Sequence, residues 1–273
     1  MSSGEFKVFR GGLKLPLIGL GTYLSPMECS NKSYYVEVFR YAFEIGYRLI
    51  DTAEAYNCSE EVVGEALRGF RRDEFVVVSK VWPTHARFDD VVKSALASSR
   101  RLGTYIDLYL LHWPSRDVPI SETIRAFEKL IDDGVVRFMG VSNFTLEQLQ
   151  EAMASARKYE VVADEVRYNV EDRSIERDLL PFSEREGIAV IAYSPLAVGS
   201  LTNPQNPAYR ILKEVADEYN ATPAQIALAW LMDKPTVVPI PKATKREHLK
   251  ENIEATKIKL KQKHKQKIDQ LKA

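Results

Sequence analysis

Phe75-Val76-Val77-Val78-Ser79-Lys80 is a short apolar run that breaks off at a charge, and the chain repeats this pattern along its length. Tyr47-Arg48-Leu49-Ile50 leads into Asp51, Ile106-Asp107-Leu108-Tyr109-Leu110-Leu111 into His112, and Met139-Gly140-Val141 into Ser142-Asn143. Ile188-Ala189-Val190-Ile191-Ala192 leads into Tyr193-Ser194, and Val237-Val238-Pro239-Ile240-Pro241 into Lys242. Apolar runs this short read as strands buried on both faces. Each reactive side chain then stands at a strand's C-terminal end. The spacing is nearly constant: 29 residues from Asp51 to Lys80, 32 on to His112 and 31 on to Asn143. That is the length of a strand, loop and helix unit.

Eight candidate strands lie near 18–21, 47–51, 75–80, 106–111, 137–141, 162–166, 188–193 and 236–240. Apolar residues at helical spacing predict helices over 34–45, 59–68, 89–102, 121–133, 145–158, 175–186, 209–219, 223–232 and 245–253. Ser59, Ser121 and Thr145 are N-cap candidates, Gly134 a C-cap, and Pro223 suits a first helical turn. Strand–helix alternation implies a parallel sheet, closed or doubly wound. Eight strands, with polar ends recurring along the whole chain, favour a closed α/β architecture, the (β/α)8 TIM barrel, whose chemistry gathers at the strands' C-terminal rim. Phe6 to Pro16 reads as a hairpin around Gly11-Gly12 that plugs one end. No linker or second composition regime interrupts the chain, which predicts a single domain over 1–273; Thr202 to Pro207 reads as a rim loop.

Of the 273 residues, 45% are hydrophobic and 28% charged, with 38 basic against 38 acidic side chains. This balance argues against a general polyanion binder, so neither nucleic acid nor membrane is an expected partner. The lysines from Lys257 to Lys272 read as a solvated terminal helix. Cys29 and Cys58 show neither metal spacing nor a disulfide framework, which suits a reducing compartment. The N-terminus lacks a signal peptide's apolar core, and no stretch approaches membrane-spanning length, so a cytoplasmic location is expected. Histidines at 85, 112, 248 and 264 offer no strand-borne metal pair, which argues against a metal-dependent hydrolase; His85 and His264 read as surface residues.

Asp51, Tyr56, Lys80 and His112 can act together. A tyrosine hydroxyl titrates near about 10, too high for easy acid–base work, and a nearby ammonium lowers that value. Asp51 can hold Lys80 by an ion pair, and His112 can orient a carbonyl. Protonating a carbonyl oxygen while hydride reaches its carbon gives an alcohol, and the hydride must come from a cofactor.

These residues stand in segments that resemble the aldo-keto reductase family, in its short-tailed prokaryotic form, over nearly the whole chain. Gly46-Tyr47-Arg48-Leu49-Ile50-Asp51-Thr52-Ala53-Glu54-Ala55-Tyr56-Asn57 is similar to the family's first signature; Ser79-Lys80-Val81-Trp82 and Leu110-Leu111-His112-Trp113-Pro114 resemble the segments that complete its tetrad. Gly140-Val141-Ser142-Asn143-Phe144 resembles the carboxamide-holding segment, Ala192-Tyr193-Ser194-Pro195-Leu196 the segment whose tyrosine stacks on nicotinamide, and Ile240-Pro241-Lys242-Ala243-Thr244 through Glu251-Asn252 the adenosine site. The resemblance implies Tyr56 as proton donor, Lys80 lowering its pKa, Asp51 anchoring Lys80 and His112 positioning the carbonyl. It implies cofactor contacts from Thr22, Tyr23, Asp51, Ser142, Asn143, Glu165, Tyr193, Ser194, Leu196, Lys242, Ala243, Thr244, His248, Glu251 and Asn252. Tyr23, Tyr56, Trp82, His112 and Trp113 would face substrate.

The chain departs from the family pattern in places. Asp164-Glu165 replaces the usual Asn-Gln; Glu165 can accept from the carboxamide but cannot donate when ionised, and it brings negative charge towards the nicotinamide. His248 stands where many members carry Arg, and Ala243 replaces a common Ser. Lys242 and Lys245 still favour a 2′-phosphate, so NADP(H) is the expected cofactor, with NAD(H) as the alternative. The short C-terminus implies an open pocket and broad selectivity. The resemblance implies reversible NADPH-dependent reduction of aldehydes and ketones by a monomer. The competing reading is a nicotinamide-binding regulatory subunit with little turnover, like those relatives that partner membrane channels.

Overall fold

The apolar runs are buried parallel strands. The computed structural model describes residues 6–271, which leaves the first five residues and Lys272 of the lysine run outside the described residues. The barrel strands are β3 (Leu20–Gly21), β4 (Leu49–Asp51), β5 (Val76–Val81), β6 (Ile106–Leu111), β7 (Val136–Ser142), β8 (Val161–Arg167), β9 (Ala189–Tyr193) and β10 (Val237–Pro239). Each pairs in parallel with its neighbours in chain order. The first and last strands close on each other through a parallel bridge between Gly21 and Lys242, with Gly19 N–H donating to Pro239 O at 2.9 Å. Closure at this point requires glycine, because a Cβ on Gly21 would stand 2.9 Å from Ile240 O.

Ten α-helices occur among the described residues: α1 (Lys32–Glu44), α2 (Ser59–Leu67), α3 (Phe88–Leu102), α4 (Ile120–Asp132), α5 (Leu146–Ser155), α6 (Leu179–Glu186), α7 (Pro207–Glu218), α8 (Pro223–Met232), α9 (Arg246–Glu254) and α10 (Gln262–Asp269). Thr145 and Thr222 each form a reciprocal capping box, with Gln148 and Gln225. Outward strand residues such as Ile50, Val77, Tyr109, Met139 and Val190 pack with the helices in one buried cluster. Inward residues form another: Leu49, Val78, Leu108, Leu110, Ile191 and Val238 meet Phe9, Leu13 and Leu15 from the N-terminal segment. That segment is the expected hairpin, β1 (Phe6–Val8) against β2 (Lys14–Pro16) around a turn at Arg10–Gly12. Its side chains fill the barrel floor. Lys7 Nζ donates to the carbonyls of Met232, Lys234 and Val237 at 2.5–2.8 Å, and so fixes the plug to the end of α8.

Four local expectations are corrected. Cys29 and Cys58 form a disulfide, with Cα atoms 5.8 Å apart; they are 29 residues apart in sequence, and only the folding of the segment after β3 against the start of α2 brings them together. Ser59 is no cap: its hydroxyl donates to Thr22 O and accepts from Leu24 N, tying two loops together. Ser121 lies inside the first turn of α4, because the cap position falls on Pro119. His264 is buried rather than exposed: α10 lays it against the Tyr219 hydroxyl at 2.8 Å and the Glu218 carboxylate at 3.0 Å. The lysine-rich end is docked, with Lys263, Lys265 and Lys267 paired to Glu218, Asp233 and Glu214. No helix among the described residues is long and apolar enough to cross a membrane.

Candidate active site

A strand alternates its side chains with a period of two, so the residue two past an inward apolar one also faces inward. Asp51 follows Leu49, Lys80 follows Val78, His112 follows Leu110, Glu165 follows Ala163 and Tyr193 follows Ile191. The polar ends of the apolar runs therefore form one layer above the barrel core. They line or underlie a cavity of about 700 Å³ that runs from Asp51, Tyr56 and His112 to Lys242, Glu251 and Asn252.

At its floor Lys80 is fully buried and Asp51 almost so. Lys80 Nζ donates to Asp51 Oδ1 at 2.5 Å and to Thr52 O at 2.9 Å, and lies 3.3 Å from Glu165 Oε2. Burial pulls the Lys80 ammonium towards neutrality, but Asp51 and Glu165 outweigh it and hold the lysine charged. Tyr56, in the turn before α2, has its ring 5.0 Å from that ammonium and edge-on to His112 at 5.5 Å and Tyr23 at 5.4 Å. Burial raises the Tyr56 hydroxyl above the usual tyrosine value, and Lys80 opposes it. The expected lowering by Lys80 is thus present but outweighed, because desolvation of the phenolate is the larger effect. Burial and then Lys80 lower His112 to about 3, which leaves a neutral imidazole whose Nδ1 has no partner.

The other predicted contacts converge from later strands. Asn143, with φ of 61°, donates to His112 O and Ser142 Oγ, both at 3.0 Å, and accepts from the Tyr193 hydroxyl at 2.8 Å. Ser142 Oγ donates to Glu165 O at 2.8 Å, and Thr22 Oγ1 to Asp51 O at 2.8 Å. His248, Glu251 and Asn252 share one face of α9 and line the far end. There Lys242 pairs with Glu28 at 2.8 Å and lies over the Tyr23 ring. Ser194 and Leu196 line the cavity on the loop after β9.

Some expectations shift. Ala243 is buried behind the wall, and Thr244 lies beside it with its carbonyl taken by Tyr34; the turn after β10 puts only Lys242 of these three on the cavity. Trp113 lines the cavity, whereas Trp82, solvent-exposed, stands edge-on to His112 at 5.1 Å and is not part of the lining. Sequence reasoning missed Glu28, whose segment lies far from Lys242 in sequence, and the loop wall of Val198, Gly199 and Thr202. The rim-loop reading of Thr202 pointed to that wall. Positive φ at Ser194, Ala197 and Val198 marks it as a strained segment.

The family model "Aldo/keto reductase family" matches residues 17–273. Methylglyoxal reductase YeaE of Escherichia coli (strain K12) is 38% identical over 255 residues, covering 92% of this chain and 89% of that protein. The thermostable aldo-keto reductase Tm1743, solved with the inhibitor epalrestat, superposes with a TM-score of 0.91 at 42% identity, covering 97% of this chain and 98% of the other. An aldo/keto reductase from Klebsiella pneumoniae, solved with NADP and acetate, gives 0.89 at 37% identity, covering 97% and 94%. Fold and kinship define a (β/α)8-barrel oxidoreductase. The chain belongs to the aldo-keto reductase family.

Proposed function

We propose that this chain reduces small aldehydes and ketones to alcohols with NADPH, reversibly, and that Tyr56 supplies the proton. The observation that carries the reading is the buried Asp51–Lys80 pair beneath the Tyr56 ring, with neutral His112 beside it, at one end of a long cavity whose other end holds Lys242. The residues fit a phosphorylated dinucleotide. Glu165, whose Oε2 makes no hydrogen bond, lines the nicotinamide end, and a cation stands at the far end. The bound nucleotide supplies hydride. Ser142, Asn143 and Glu165 would hold its carboxamide, Tyr193 would face the ring, Lys242 would pair with the 2′-phosphate by a charge-assisted contact, and Glu251 and Asn252 would meet the adenine.

Asp51 fixes Lys80, and Lys80 stabilises the phenolate that Tyr56 becomes as it gives up its proton. His112, neutral across the working range, orients the carbonyl by hydrogen bonding, while Trp113 and Tyr23 flank the substrate. The methylglyoxal reductase among the relatives supports small α-oxoaldehydes as the substrate class. The enzyme works as a cytoplasmic monomer in this reading. Mixing purified protein with NADPH or NADH and a panel of carbonyls tests it. Carbonyl-dependent loss of NADPH absorbance, greatest with α-oxoaldehydes, is expected. Tight NADPH binding with no turnover on any carbonyl would overturn it in favour of a regulatory subunit.

A further inference from the structure

Glu165 introduces a second carboxylate where one ammonium already has a partner. Its side chain is 2% exposed, its Oε2 lies 3.3 Å from Lys80 Nζ, and that oxygen makes no hydrogen bond. Asp51 Oδ1 holds the same Nζ at 2.5 Å. The groups facing Glu165 are Asp51 from β4, Lys80 from β5, Tyr56 from the turn before α2 and Tyr193 from β9. Asp164, its neighbour in sequence, points to the other side of β8 towards Phe144. With both carboxylates ionised against one lysine, a sealed layer would carry a net negative charge, a costly arrangement away from water. Burial and then Asp51 push Glu165 well above the usual carboxylate range, with Lys80 opposing.

The charge count changes with the cofactor's oxidation state. With Glu165 protonated, Asp51 and Lys80 cancel, and the layer is neutral beside an uncharged reduced nicotinamide. With Glu165 ionised, its charge cancels that of an oxidised, cationic ring. We propose that Glu165 is a proton store matched to the nicotinamide: it holds a proton when NADPH is bound and releases it when NADP⁺ is bound. Protonated, it carries one O–H donor, with the other oxygen left to accept from the carboxamide.

The step balances. As hydride forms the new C–H bond, the Tyr56 O–H bond breaks and its proton forms the alcohol O–H. The phenolate takes a proton from Lys80 Nζ, which lies 5.0 Å from the centre of the Tyr56 ring, and Lys80 takes the Glu165 carboxyl proton. The carbonyl is reduced and the nucleotide oxidised. Glu165 ends ionised and regains its proton from solvent when NADPH replaces NADP⁺.

This inference rests on the NADPH-reductase reading, and nucleotide binding can test the two separately. Calorimetric titration near pH 7, in two buffers of different ionisation enthalpy, counts protons released on binding. The 2′-phosphate and its partners are common to both nucleotides, so the difference between them isolates the nicotinamide end. NADP⁺ should release about one proton more than NADPH, and its affinity relative to NADPH should rise by up to about tenfold per pH unit while Glu165 titrates. In Glu165→Gln the two counts should become equal. The pH dependence of the wild-type affinity ratio needs no variant, so it decides the matter even if Glu165→Gln folds poorly. Equal counts in the wild type, or a difference that survives in Glu165→Gln, would overturn the proposal. Failure of either nucleotide to bind would overturn the reductase reading itself.

Discussion

Lys242 shows how a single residue's partners bear on cofactor choice. Its ammonium is held by Glu28, whose carboxyl is kept below the usual glutamate range by Lys242 and Ser25 despite the opposing effect of burial. On the proposed function, an arriving 2′-phosphate would compete with that carboxylate. Lys242→Ala should therefore weaken NADPH binding by about tenfold or more while leaving NADH nearly unchanged, a loss of the size expected for one charge-assisted contact. Glu28→Gln should act in the opposite sense, and fluorescence titration of both nucleotides checks the pair; equal losses for NADPH and NADH in Lys242→Ala would remove it from the 2′-phosphate. Lys242 was legible in the sequence because it ends an apolar run. Glu28 was not, since an acidic residue in a loop looks like ordinary surface until the fold closes. Lys80 and Tyr56 divide in the same way: the pairing could be read from strand ends, but the dominance of burial over the ammonium depends on how deeply the layer sits.

At the scale of elements, strand positions were the most legible feature, because a buried strand must be apolar on both faces and must stop where water or chemistry begins. Helix starts were less so. Ser121 looked like a cap but lies within α4, whereas Thr145 forms a full capping box; only backbone geometry separates two such residues. The hairpin plug was readable from Gly11-Gly12, but its anchoring was not, since Lys7 reaches carbonyls 225 to 230 residues away. Leu15, fully buried against the inward barrel residues, belongs to the same plug. Leu15→Ala should lower unfolding stability by about 2–5 kcal/mol, as expected for a truncated core leucine. Urea denaturation measures this, and a change within error would mean that the plug contributes little to the core.

For the whole molecule, the Cys29–Cys58 bridge links the segment beside Glu28 to the turn that carries Tyr56, and so ties the two ends of the cavity wall to each other. It removes the argument from cysteine usage for a reducing compartment, and it fits a cytoplasmic location only in the manner of the disulfide-bonded intracellular proteins of hyperthermophiles. Two lone cysteines gave no sign of it, since their proximity is a property of the closed barrel. Closing a loop of this length should contribute about 3.6 kcal/mol. Cys58→Ser, or reduction of the wild type, should lower the melting temperature by roughly 5–10 °C; melting curves that coincide with and without reductant would deny the bridge a stabilising role. Carbonyl reduction at this barrel rim is assigned its proton from Tyr56. Single-turnover oxidation of enzyme-bound NADPH by methylglyoxal, in wild type and Tyr56→Phe, tests it most directly. Tyr56→Phe should lose about 10²–10⁴-fold in the rate of the chemical step, with NADPH affinity unchanged. A Tyr56→Phe enzyme that oxidises NADPH at the wild-type rate would contradict it.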